Sequence, residues 1–559
     1  MAVLTNKDLE AVPLEGRRWT TWNYAALWIG MSICIPTYQL ASGLMEPGRP
    51  DQGMNWWQAL GTILIANLIV LVPMVLNGHA GARYGIPFPV FARASFGTSG
   101  ANVPAMLRAV VACGWFGINT WIGGTALAVV VQKTVWPEIE HTRFVDEILG
   151  VAEKGPIAYA GKQKNPLAAV TINDVRAVVH GDGSYDCTVE PDKDRVLTIV
   201  VTAEGKETSR DKVRVTRGPL DVRSGDFGCF LVFWLVNMVV VWAGIDSIRK
   251  LLVVKSFFLP AAALALLLWA YFAAHGSFGD IFSRPSRFAR DADFWAFFFP
   301  SLTAMVGFWA TLSLNIPDFT RYAKGQREQM TGQALGLPAS MTAVSFVAVA
   351  VTGVTAVLWG KAEWDPVKVV GHFGALAAAF AMFCVVLSTL ATNVAANIVS
   401  PANDFSNLAP AKISFRTGGY MTGIVGILML PWKLIADPSG YIFTWLVGYS
   451  ALLGPIGAIL ITDYFVIRRT ALDVPDLYSE MGRYRYLRGW NPVALVALAL
   501  GIAPSLPGFL MKIGVVGPVE PWASLFDYAW FVGFGVSAIA YFFGMKLRGA
   551  DAMRDGKPA

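Results

Sequence analysis

Apolar residues in this chain gather in long runs separated by short polar connections. A bilayer core about 30 Å thick is crossed by roughly 20 apolar residues in a helix. About twelve stretches qualify: 24–45, 57–77, 104–133, 227–244, 251–274, 295–315, 337–360, 373–398, 417–432, 440–465, 490–510 and 525–545. The pattern predicts an all-α polytopic membrane protein. Its expected segments are a cytoplasmic N-terminus (1–23), helices 1–3 (24–136), an insertion (137–226), helices 4–10 (227–465), a cytoplasmic loop (466–489), helices 11–12 (490–545) and a cytoplasmic tail (546–559).

The insertion breaks the pattern. It holds 16 of the chain's 39 acidic residues and 13 of its 45 basic ones, so it is net acidic on a chain of net charge +6. The β-branched run Val196–Thr202 reads as a strand. Gly181-Asp182-Gly183 and Glu204-Gly205-Lys206 read as hairpin turns, and 176–180 and 212–216 as further strands. The insertion is therefore expected to be a small β-rich unit outside the membrane. It is either a decoration or a surface for an unknown partner.

Composition agrees with the membrane reading: 55% of residues are hydrophobic and 15% charged, against roughly a quarter charged in soluble domains. The N-terminal segment lacks the apolar centre of a signal peptide. Lys and Arg crowd alternate connections, among them Arg17, Arg18, Arg249, Lys250, Arg321, Lys324, Arg468, Arg469, Arg485 and Lys546. By the positive-inside rule, both termini face the cytoplasm of a multi-pass protein of the cell membrane. No basic patch interleaved with stacking aromatics suggests nucleic acid. The five cysteines have no metal-ligand spacing. No phosphate loop, H-E-x-x-H, C-x-x-C or G-x-S-x-G is present, so neither an enzyme nor an ATP-driven pump is expected.

Three polar or aromatic clusters lie at membrane depth. In the third stretch Trp115 and Asn119 stand one turn apart on one face. A flat indole beside an amide suits a planar heterocycle; packing and a helix–helix bond are the alternative. In the eighth stretch Asn393 and Asn397 share a face, with Ser388, Thr389 and Thr392 nearby, and buried polar groups of this kind commonly mark a pathway. In the sixth, Phe308 and Trp309 follow Gly307. Pro36 and Gly307 interrupt their helices, and interrupted helices free backbone groups to line a site. Five helices separate the two breaks, a hint of a five-plus-five repeat.

Together these segments resemble the nucleobase–cation symporter family of the first type, the group of hydantoin, allantoin, uracil and cytosine permeases. The matching stretches are Trp28–Tyr38, Asn77–Gly97, Ala112–Trp121, Asn315–Tyr322, Ser388–Ala402 and Gly454-Pro-Ile-Gly-Ala through Asp463-Tyr-Phe. The resemblance covers about residues 17–545 apart from the insertion. It implies a leucine-transporter-like fold of two inverted five-helix repeats plus two helices, and import of a planar ring by alternating access. It further implies that Trp115 stacks on one face of the ring and Trp309 packs on the other. Asn119 and Asn397 would bond the ring edge, and Phe308 would offer its backbone. Cys34 stands where relatives place an amide. An implied sodium site takes carbonyls of Gly30, Ile33 and Ser388 and the hydroxyl of Thr392. Ala391 lacks the oxygen that a serine gives there, so sodium, a proton or no ion at all remain as the coupling partner. No organic cofactor is implied. The rival readings are a ring-modifying membrane enzyme and a transporter-like sensor that uses the outer β-unit.

Overall fold

The computed structural model describes residues 4–46, 52–136, 156–162, 167–181, 184–192, 196–203, 205–214, 222, 224–243, 260–360, 362–435, 440–517 and 519–549. Among them, eight helices are long and apolar enough to cross a membrane. The count falls short of twelve partly because several expected spans are split into shorter pieces. The first is α1 (Thr21–Ser32) followed by α2 (Ile35–Met45). Next come α3 (Trp56–Tyr84), a short α4 (Phe88–Phe96), α5 (Asn102–Thr134) and α6 (Ser224–Ala243). Of the expected stretch 251–274, residues 251–259 lie outside the described residues, as do Arg249 and Lys250; Pro260–Ala273 is helical. The sixth stretch is α7 (Asp291–Phe308) and α8 (Ala310–Asn315). After it follow α9 (Gln326–Trp359), α10 (Ala375–Asn397), α11 (Val399–Leu408), α12 (Phe415–Leu428), α13 (Val447–Ile461), α14 (Pro492–Ile502) and α15 (Ala529–Leu547).

The first break falls at Ile33–Cys34, just before Pro36. Cys34 is extended (φ −149°, ψ 161°), and Pro36 sits in the first turn of α2, where a missing N–H costs nothing. A proline in mid-helix would leave the carbonyl four residues earlier without its donor. Here that carbonyl, Ser32, accepts the Cys34 N–H at 3.0 Å. Gly30 lies in the last turn of α1, where helix carbonyls lack intrahelical donors. The second break is at Trp309 (φ −101°, ψ 5°), two residues beyond Gly307.

Several of the matching stretches meet as joints between helices. Asp318 accepts the Phe88 N–H at 2.9 Å and the Ser400 hydroxyl, so three distant motifs meet on one buried carboxylate. Asn77 donates to Ser313 O at 2.8 Å and Thr320 to Gly78 O at 2.8 Å. Asp463 accepts from Ser95 (3.0 Å) and Tyr541 (2.8 Å) and pairs with Arg468 at 2.6 Å. The ion pair Arg108–Asp404 (3.3 Å), with both side chains fully buried, ties α5 to α11. Burying two charges is tolerated only when each satisfies the other, and removing one partner strands a charge.

Residues 124–233 form a second compact unit. It contains seven strands: β1 (Ile157–Lys162), β2 (Ala169–Ile172), β3 (Val175–Arg176), β4 (Val178–Val179), β5 (Ser184–Val189), β6 (Val196–Ala203) and β7 (Lys206–Arg214). They make two sheets, ordered β1-β5-β4 and β3-β2-β6-β7. Val170, Ile172, Tyr185, Leu197 and Ile199 fill its core. The β-branched run that suggested a strand lies in β6, which buries Leu197 and Ile199 on one face. Residues 212–214 of the expected strand at 212–216 are the far end of β7, which begins at Lys206, while 215 and 216 lie outside the described residues; the expected strand at 176–180 is divided between β3 and β4. Gly205 (φ +76°) supplies the left-handed turn between β6 and β7. Asp182, Gly183 and Glu204 of the expected turns, and residues 137–155, lie outside the described residues.

Candidate functional site

The two helix breaks open onto one cavity. It encloses about 370 Å³, counting the part open to solvent. Its wall includes Cys34, Trp115, Asn119, Phe308, Trp309 and Asn397, so all six residues singled out as ring-binding from the sequence line one space. They come from α2's start (Cys34), α5 (Trp115, Asn119), the α7–α8 break (Phe308, Trp309) and the end of α10 (Asn397). Thr392 lines it as well. Met31, Pro36, Thr311, Leu312 and Ala396 complete the wall and were not predicted as ring contacts. Apolar residues at membrane depth carry no signal that separates a cavity wall from ordinary packing.

The aromatic part is tightly ordered. Trp115 meets Phe308 edge to face at 5.3 Å, and Phe308 meets Trp309 at 4.8 Å. Trp28 packs edge-on against Trp309 at 5.1 Å. Edge-to-face contacts of this kind each add about 0.5–1.5 kcal/mol beyond the area they bury. Tyr449 on α13, which no motif singled out, holds the arrangement. Its hydroxyl accepts the Trp115 Nε1–H at 3.3 Å and donates to Gly307 O at 2.8 Å. One buried oxygen thus links the indole on α5 to the carbonyl at the end of α7. Gly307 is required by close approach: a Cβ there would lie 2.9 Å from Leu446 O and 3.0 Å from Ser450 Cβ.

The polar part consists of amides. Asn119 donates Nδ2–H to Trp115 O at 3.1 Å, while its buried Oδ1 has no partner among the described residues. Asn397 donates to Asn393 Oδ1 at 3.1 Å. The buried indole Nε1 of Trp309 likewise lacks a partner. The wall thus combines aromatic rings with amide and indole groups that can hydrogen-bond.

Of the ion ligands implied by the resemblance, Gly30 lies in the last turn of α1 beside the first break, and Thr392 donates to Ser388 O at 3.1 Å. Ala391 is fully buried and presents a methyl group. No cluster of three His, Cys, Asp or Glu side chains that could hold a metal occurs among the described residues.

The sequence model of a family described as permeases for cytosine/purines, uracil, thiamine and allantoin matches residues 11–152 and 218–533. A purine-uracil permease of Arabidopsis thaliana is 38% identical over 551 residues, covering 98% of this chain and 78% of that protein. An allantoin permease of Bacillus subtilis is 34% identical over 547 residues, covering 97% and 94%. Among solved structures, the closed form of Mhp1 with bromovinylhydantoin bound, described as a nucleobase-cation-symport-1 family transporter, superposes with a TM-score of 0.67. It is 22% identical, with 99% of each chain covered. That likeness carries the fold, the leucine-transporter-like arrangement that the sequence motifs imply.

Proposed function

The chain belongs to the family of permeases for cytosine/purines, uracil, thiamine and allantoin, and from that premise we propose that it imports a nucleobase or related cyclic ureide through the cavity between its two helix breaks. The observation that carries this reading is the convergence of Trp115, Asn119, Phe308, Trp309, Asn397 and Cys34 on one space. In this reading Trp115 is the platform for one face of the ring and Trp309 closes the other. The two asparagines bond the ring edge, and Phe308 and Cys34 set the length of the slot. The ring waits near the membrane midplane while helices move around it, so that the cavity opens to one side at a time. The relatives named for purine and uracil and for allantoin support rings of this size and polarity.

Coupling to sodium is weak or absent in this reading. Sodium favours oxygen ligands, and Ala391 removes one from a set of about five that the family pattern supplies. The termini face the cytoplasm of a cell-membrane protein, supported by the basic residues of alternate connections, and the 137–226 unit is extracytoplasmic by the same argument.

The test is uptake of one radiolabelled ring in competition with uracil, cytosine, adenine, allantoin and hydantoin. At least one should compete strongly, and Trp115→Ala should abolish that uptake while the protein is still made. Competition by none of them, or full uptake by Trp115→Ala, would remove the reading.

A further inference from the structure

Asn393 is fully buried one turn before Asn397 and is not itself a residue of the cavity wall. Its Nδ2 lies 3.3 Å from Phe116 O, 3.0 Å from Thr120 Oγ1 and 3.2 Å from Asn237 Oδ1. The Thr120 hydroxyl already gives its proton to Phe116 O at 2.7 Å, so toward Asn393 it acts as an acceptor. A reversed Asn393 amide would set its oxygen against the Phe116 carbonyl, which has no proton to give. The orientation of Asn393 is therefore fixed from α5: NH2 toward α5, Oδ1 toward Asn397.

That orientation passes along the helix. Asn393 Oδ1 accepts Asn397 Nδ2–H at 3.1 Å, which leaves the Asn397 oxygen as the group it offers to the cavity. Asn119 reaches the same state by a shorter route. Its Nδ2 is committed to the Trp115 carbonyl, and a flip would again oppose two acceptors; its Oδ1 is buried and unpartnered. Each asparagine thus has one Nδ2–H committed and its orientation set by that bond, so the amide oxygen is the end turned away from the fixed partner, and the Nε1–H of Trp309, without a partner among the described residues, is a donor from the same wall.

We propose that Asn393 is a positioning residue that sets the hydrogen-bond polarity of the cavity, and that the cavity selects planar rings with two N–H donors flanking a carbonyl, as in a cyclic urea. This rests on the reading that the cavity binds the transported ring. A ring with CH2 in place of one N–H leaves a buried oxygen unpaired whichever way it is turned. When Asn393 is removed, the Asn397 amide rotates freely, and a ring with a single N–H can turn that group to Asn119 without penalty.

The experiment titrates the purified full-length chain, by its tryptophan fluorescence, with two pairs of rings that differ only by N–H against CH2. The pairs are hydantoin with succinimide and dihydrouracil with glutarimide. In the parent protein at least one ureide should bind, should lose its signal in Trp115→Ala, and should bind at least about fivefold more tightly than its imide partner, as one unpaired buried acceptor requires. In Asn393→Ala the ureide should still bind, and the ratio should fall to within about twofold of unity. Asn393→Ser gives the same comparison if the alanine variant does not fold, because serine cannot bridge to Asn397. A fold-change of only about one between ureide and imide in the parent, or an unchanged ratio in the folded variants, would overturn the inference while leaving the transport reading intact. Failure of both ureides to bind would also overturn it, and the nucleobase competition panel would then decide the transport reading separately.

Discussion

The two helix breaks face the same cavity but are built differently. At the first, the cause is local: Pro36 has no N–H, and Ser32 O takes the Cys34 N–H instead. Nothing from another helix is needed to make that turn. At the second no proline is present. The helix ends where Gly307 lets α13 approach, and Tyr449 on α13 joins the Trp309 N–H on the Gly307 carbonyl. A break encoded by its own residues can be altered with little effect elsewhere. A break made by packing transmits any change to the helix that packs against it, and through Tyr449 to the Trp115 platform.

The largest expected effect tests that transmission. Trp115→Ala removes the ring that touches Phe308 and bonds Tyr449, and uptake should be lost although expression persists; Trp115→Phe should retain part of it. Full activity in the alanine variant would assign Trp115 to packing alone.

Glycines at the two breaks should behave oppositely. Gly307→Ala drives a methyl group to 2.9 Å from Leu446 O, and overpacking of this kind costs about 1–3 kcal/mol. Gly30→Ala meets nothing within 4 Å. It should be neutral or stabilise by up to about 1 kcal/mol, because alanine is the better helix former. Thermal unfolding of the two purified variants decides this, and equal losses would erase the distinction between the breaks.

Tyr449→Phe deletes one oxygen: the Trp115 indole N–H loses that acceptor, and the Gly307 carbonyl keeps the Trp309 N–H. A buried hydrogen bond lost without replacement costs about 1–3 kcal/mol. Ring affinity should fall more than expression does, and a double variant with Trp115→Phe should show less than the sum of the single effects. Additive losses would mean that Tyr449 and Trp115 act separately.

The smallest effect concerns the first break. Uptake in sodium and in choline buffers at constant pH should differ little in the parent protein. Ala391→Ser should introduce sodium dependence by restoring an oxygen opposite the Gly30 carbonyl's helix. Steep sodium dependence in the parent would show that another oxygen fills the place of residue 391.

Much of this was legible in the residues themselves. Apolar run length marks spans because a bilayer demands it, the β-branched run Val196–Thr202 marks a strand, and Pro36 announces a break within two residues of where it falls. Trp115 with Asn119, and Asn393 with Asn397, could be placed on common faces because helical spacing is fixed. What spacing could not supply is which faces meet. The role of Tyr449 has no local signature, since its partners Trp115 and Gly307 lie 334 and 142 residues away. Asp318, Ser400 and Phe88 likewise become one joint only when their helices are packed.

The chain's own order of residues thus determined that it lies in a membrane, roughly where its helices run and which side chains could recognise a ring, because those properties follow from local periodicity and the solvent. Tertiary structure alone decided that six of those side chains share one cavity, that the second break packs against α13, and which partner each asparagine amide bonds. A hydrogen bond has a donor and an acceptor, and the direction of an amide is fixed only by the partners that folding brings to it.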